Sequence, residues 1–234
     1  MTRLASPTAV GRAVVLVLAT GLTGGLVGAG VQRAAAGRSP AWVLGRATGV
    51  TGLLLLTALV LVGLVLAHPW RGYRRLLPTT SLISVHVGLA AGCLVLLGGH
   101  VAALATDGYA QVGWWGALLP MGSGYRPVPV TLGVLAGYAG LAAGVTAGLA
   151  GRLGGRWWWP VHRVALTSFV LTWTHGLLTG SDSGRLLPVY LGCGSAVLVV
   201  AVSRYVSATP ADRVRDLIIQ PRPDPRAQPQ EAHR

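Results

Sequence analysis

Six histidines occur in the 234-residue chain, and four of them fall inside long apolar runs. His86 and His100 are fourteen residues apart in one run; His162 and His175 are thirteen apart in another. Neutral imidazole carries a nitrogen lone pair and is the commonest protein ligand for transition metals. At 1.5 Å per helical residue the two spacings put the members of each pair about 21 Å and about 20 Å apart along their helices. If both helices run in the same direction, imidazoles are presented at two matching depths. Two stacked haems need this arrangement, each iron taking one imidazole from each helix, with the other ring N–H held by an acceptor. Filling both axial positions favours electron transfer over substrate binding at iron. Two such groups across about 30 Å of hydrocarbon would make a wire. Helix geometry sets one condition: fourteen residues at 100° each return within about 40° of the same face, whereas thirteen miss it by about 140°. The second helix must therefore tilt or unwind locally, or the haems must sit at different angles around the bundle.

Other chemistry competes for the same residues. A single intramembrane histidine can serve as interhelical glue, bonded to a backbone carbonyl. A proton relay usually includes Asp or Glu, and none of the apolar runs contains either. His68, beside Pro69 at the end of a run, reads as interfacial, and His233 lies in the tail with no role assigned.

The elements that must carry these residues are legible in the composition. Hydrophobic residues make up 52% of the chain and charged residues 11%, against roughly a quarter charged in soluble domains; mean hydropathy is +0.59. That excludes an ordinary cytosolic globule and, for most of the chain, disorder. Six stretches approach or exceed the roughly 20 apolar residues a bilayer crossing needs: about 11–31, 41–67, 81–105, 129–150, 160–180 and 186–206. The expected fold is therefore all-α, an integral membrane six-helix bundle over 11–206. A short N-terminal segment (1–10) precedes it, and a Pro-, Arg- and Gln-rich tail (207–234) follows, read as disordered apart from one interfacial turn near Leu217–Ile219. The first run exceeds the 7–15 residues of a signal-peptide core and is read as a retained helix.

All 19 basic residues are arginine, and the formal charge is +13. In a soluble protein this would suggest nucleic acid; between apolar runs it sets membrane orientation instead, and no nucleic-acid partner is expected. With the N-terminus inside, fourteen arginines fall on the cytoplasmic side and five outside, so both termini are expected in the cytoplasm of a multi-pass cell-membrane protein. Cys93 and Cys193 sit singly inside apolar runs and indicate neither a disulfide framework nor a zinc site. Trp157–Trp159 reads as an aromatic belt. Gly133, Gly137, Gly140, Gly144 and Gly148 give G-x-x-x-G spacings for close helix approach. The outer loop, Thr106 to Val128, reads as an aromatic anchor, with capping of the outer haem as the alternative. Asp182, in Ser181–Asp182–Ser183, either caps the last helix or orients the outer haem or a docking partner. No internal repeat stands out.

These residues resemble the ferric reductase-like transmembrane family, which includes ferric reductases, NADPH oxidases and the haem-binding membrane subunit of bacterial methionine sulfoxide reductase systems. The H-x13-H of His86 and His100 followed by the H-x12-H of His162 and His175 is similar to that family's spacing. Trp159–Pro160–Val161–His162–Arg163 leading to His175–Gly176 resembles its W-x-x-H-R … H-G stretch, and Gly45–Arg46–Ala47 its arginine-bearing motif. The resemblance covers about residues 41–180. It implies two b-type haems, the inner on His86 and His162 and the outer on His100 and His175, with electrons passing from cytoplasm to exterior. It also implies a propionate contact for Arg46, with Arg126 or Arg185 as further outer candidates and Arg74, Arg75 and Arg163 as inner ones. Relatives often carry a cytoplasmic flavin and nicotinamide domain. The short tail here has no G-x-G-x-x-G unit, so no flavin or NAD(P) site is expected in this chain. The expectation is a haem subunit fed by a separate flavin reductase or by quinol, delivering electrons to an external acceptor or partner enzyme. The alternatives are a quinol-linked cytochrome b subunit of a larger complex, and a haem-free permease or structural protein.

Overall fold

The computed structural model describes residues 39–69, 78–149 and 161–207. The expected first span, the N-terminal segment, Arg74, Arg75, Trp157–Trp159 and the tail beyond Ser207 lie outside the described residues. Within them the regular structure is helical throughout. In chain order the helices are α1 (Pro40–Leu66), α2 (Thr79–Thr106), α3 (Gly113–Leu118), α4 (Pro127–Gly148), α5 (Val164–Thr179) and α6 (Ser183–Ser207). Four of these, α1, α2, α4 and α6, are long and apolar enough to cross a membrane. The fold is a helical bundle of the multi-pass membrane type.

The helix limits follow from local chemistry. Ser39 caps α1, its hydroxyl accepting from the Trp42 N–H at 3.1 Å, and Pro40 opens the first turn, where a missing N–H costs nothing. Pro127 opens α4 in the same way. The expected fifth span is shorter than its apolar run: α5 has 16 residues, about 24 Å of helix, less than a bilayer core. Val161 and His162 are also helical, and Arg163, with helical backbone angles (φ −64°, ψ −20°), stands between them and α5. The Leu166 N–H bonds the Arg163 carbonyl at 3.2 Å, a tighter three-residue bond at the start of α5. The loop after α2 holds one element that periodicity had not indicated, the single-turn helix α3.

Interhelix contacts give the directions. α1 and α2 form an antiparallel hairpin, as Gly45 lies against Leu104 and Gly63 against His86. α4 and α5 form a second one, with Gly133 against His175 and the Ser168 hydroxyl donating to the Ala136 carbonyl at 2.8 Å. Of the glycine stripe on α4, Gly133 and Gly140 face α5, whereas a side chain at Gly144 or Gly148 would enter open space. α6 runs parallel to α1 and closes one side of the bundle: the Arg204 Nε donates to the Ala67 carbonyl at 3.0 Å, and His68 Nε2 lies 3.2 Å from the Ser203 hydroxyl. The core sits among α1, α5 and α6, where Leu53, Val60, Phe169, Tyr190, Cys193 and Val197 are buried together. The Trp173 indole N–H bonds the Tyr190 carbonyl at 2.8 Å at its edge. Both cysteines are free thiols. The helix faces turned away from this core remain apolar and exposed, as a lipid-facing surface requires.

Candidate functional site

The four histidines meet in two pairs between the hairpins. His86 of α2 and His162 have ring centroids 6.1 Å apart with their planes inclined at 68°; for His100 of α2 and His175 of α5 the values are 6.3 Å and 89°. α2 and α5 run in the same direction, and the pairs lie at two depths about 21 Å apart along α2. The thirteen-residue spacing on the second strand of histidines is accommodated by the interruption at Arg163. His162 lies just ahead of α5, joined to it through Arg163, whose backbone angles are themselves helical (φ −64°, ψ −20°).

The distances discriminate between kinds of contact. A direct hydrogen bond of up to about 3.2 Å, plus about 1.1 Å from each nitrogen to its ring centre, would hold two imidazoles at most about 5.4 Å apart. Both pairs are wider than that, so neither is a directly hydrogen-bonded couple or a direct proton relay. Two nitrogens on opposite sides of one transition metal, each about 2.0 Å away, give centroids about 6.2 Å apart. The observed values bracket that separation. Two imidazoles are half of a tetrahedral set, and among the described residues no group of three or more His, Cys, Asp and Glu side chains could hold a bare metal ion. A porphyrin brings four equatorial nitrogens and asks the protein for two axial ones, which is the donor set present at each depth.

The backs of the rings are tied to backbone. His100 Nδ1 lies 2.6 Å from the Gly45 carbonyl, His175 Nδ1 2.8 Å from the Pro129 carbonyl, and His162 Nδ1 3.5 Å from the Ala143 carbonyl. A carbonyl only accepts, so these contacts are satisfied by a proton on Nδ1, which in the neutral ring leaves the lone pair on Nε2. His86 Nδ1 is buried beside the Leu59 carbonyl without completing a bond of good geometry among the described residues. The four acceptors follow a pattern: Gly45 and Leu59 are fourteen residues apart on α1, and Pro129 and Ala143 fourteen apart on α4. Each hairpin thus pairs a histidine-bearing strand with a carbonyl-presenting helix, in the same order. Single-residue chemistry gave no hint of these acceptors, because any residue has a carbonyl.

Arg46 stands near the end where α1 begins, above the level of His100 and His175. Its guanidinium pairs with the Asp182 carboxylate at 2.5 Å and lies 4.8 Å from the centre of the Trp42 ring. Asp182 therefore spends its side chain on Arg46 and Ser181, while its backbone carbonyl starts α6 by accepting from Arg185 and Leu186. Arg126 adopts a left-handed conformation at the start of α4 and donates to the Leu178 carbonyl at 2.5 Å. Tyr125 donates to the Thr179 carbonyl at 3.0 Å. Asp107 is buried; it accepts from the Ser39 hydroxyl and from the Ala110 N–H at 3.0 Å, locking the α1–α2 hairpin. Tyr109, Trp114 and Trp115 of the connecting loop are exposed, as an interfacial anchor would be.

No protein-family model, curated protein or solved structure gives a significant match to this chain.

Proposed function

We propose that the chain is the haem-carrying membrane subunit of an electron-transfer system, similar to ferric reductase-like membrane domains, and that it binds two b-type haems. His86 and His162 would hold the inner one and His100 and His175 the outer one. The observation that carries this reading is the pair of imidazole separations, 6.1 and 6.3 Å, at two matched depths on co-directional strands. Bound there, the haems would supply one-electron chemistry along the membrane normal. The protein's part would be to supply two imidazoles at each level, His86 with His162 and His100 with His175, and to keep the path apolar. In this reading six spans place both termini in the cytoplasm. The donor is a separate flavin reductase or membrane quinol, and the acceptor is outside, ferric iron or a partner enzyme. Arg46, at the outer level, suits a propionate as well as Asp182, since a guanidinium fork can serve two carboxylates.

The test is direct. Purified protein should show a Soret band and an α-band, with two haems per chain by pyridine haemochromogen. His100→Ala or His175→Ala should remove the outer haem, and His86→Ala or His162→Ala the inner one. A haem-free preparation after supplementation with haem would favour the permease or structural reading. Reduction of the haems by menaquinol alone would assign the quinol-linked form.

A further inference from the structure

The histidines do not lean on arbitrary stretches of the opposing helices. Four residues beyond the Gly45 carbonyl stands Gly49; four beyond Leu59 stands Gly63; four beyond Pro129 stands Gly133. In an α-helix that later residue bonds the same carbonyl through its N–H, so its side chain flanks the approach to the oxygen. A Cβ on Gly133 would lie 2.7 Å from both Cε1 and Nδ1 of His175; one on Gly49, 3.0 Å from the same atoms of His100; one on Gly63, 3.1 Å from Cε1 of His86. The two shortest histidine–carbonyl contacts, 2.6 and 2.8 Å, are at Gly49 and Gly133; at Ala147 the distance is 3.5 Å, and at Gly63 His86 Nδ1 comes beside the Leu59 carbonyl without completing a bond.

We propose that Gly49 and Gly133 are positioning residues, with Gly63 a looser counterpart: each leaves a notch through which a histidine Nδ1 approaches the carbonyl four residues earlier, and so presents that ring's Nε2 to the cofactor. This rests on the two-haem reading. It gives the glycines a role beyond letting helices pack, because the atoms each Cβ would meet belong to the imidazole. Orientation by the far nitrogen sets both ligand geometry and basicity, so filling a notch should change the coordination of iron before it changes the fold. Alanine is also the better helix former, so an effect on helix stability alone would run in the opposite direction.

The experiment uses the full-length, haem-loaded protein in detergent, with spin state read by electron paramagnetic resonance and absorption, and haem count by pyridine haemochromogen. Gly133→Ala should convert one of the two haems from low-spin to high-spin, or lose it. Gly49→Ala should do the same less completely, and Gly63→Ala should affect the other haem least. Gly144→Ala, on the same helix as Gly133 but facing open space, should leave the spectrum unchanged. Added imidazole should return the Gly133→Ala haem to low-spin. Two low-spin haems in both Gly133→Ala and Gly49→Ala would overturn the proposal, as would an equal loss in Gly144→Ala; the milder Gly49→Ala decides it if Gly133→Ala does not accumulate. Unaltered variants of a haem-bearing parent would remove this inference alone, whereas a haem-free parent would remove the functional reading with it.

Discussion

Arg46 pairs with Asp182 and lies over the Trp42 ring. Its partner Asp182 is far away in sequence, on the other side of both histidine pairs, so nothing in the local pattern of Gly45–Arg46–Ala47 announces the ion pair. The histidine pairing, in contrast, was readable from spacing alone, since depth along a helix depends only on residue number and direction. The Arg46 side chain is 16% exposed and that of Asp182 38%, so the pair is partly screened and is worth about 1 kcal/mol. Asp182→Asn should lower the thermal midpoint by roughly 2–4 °C, which a melt of the solubilised protein would register. The charge effects on an outer haem carry opposite signs. Arg46→Gln removes a positive charge, favours the oxidised iron and lowers the midpoint potential. Asp182→Asn removes a negative charge and raises it. A spectroelectrochemical titration reads both shifts, and equal potentials in the two variants would show that neither charge lies within reach of the iron.

Among the elements, the interruption at Arg163 decides most. A hydropathy window sees Pro160 to Gly180 as one continuous apolar run, because a break in the hydrogen-bond ladder leaves no trace in composition. Yet the thirteen-residue spacing already required something of the kind, and the structure has a non-ladder residue, Arg163, between His162 and α5. Inserting one alanine after Arg163 would make the spacing fourteen, but would also rotate His162 by about 100° relative to α5. The expected result is loss of the inner haem with the outer one retained, seen as one haem per chain. The long helices were legible within a few residues because their apolar runs are unbroken and their starts carry Ser39–Pro40 and Pro127. The single turn of α3 was not, since six residues rich in Gly and Trp show no period. Between α4 and α5, Ser168→Ala removes a buried interhelical hydrogen bond and should cost about 0.6 kcal/mol without changing haem stoichiometry.

For the whole molecule, composition established a helical membrane protein, and the described residues form such a bundle. Orientation is a separate matter, carried by fourteen arginines against five. A fluorescent protein fused after Arg234 should fold and fluoresce in the cytoplasm, whereas a periplasm-dependent phosphatase at the same site should stay inactive; the reverse result would invert the direction of the proposed electron flow. What composition and motif could not convey is how the halves correspond. Each hairpin offers its acceptors fourteen residues apart and its imidazoles in the same order, yet neither half can enclose a metal alone. Such a half becomes useful only when it meets another like itself.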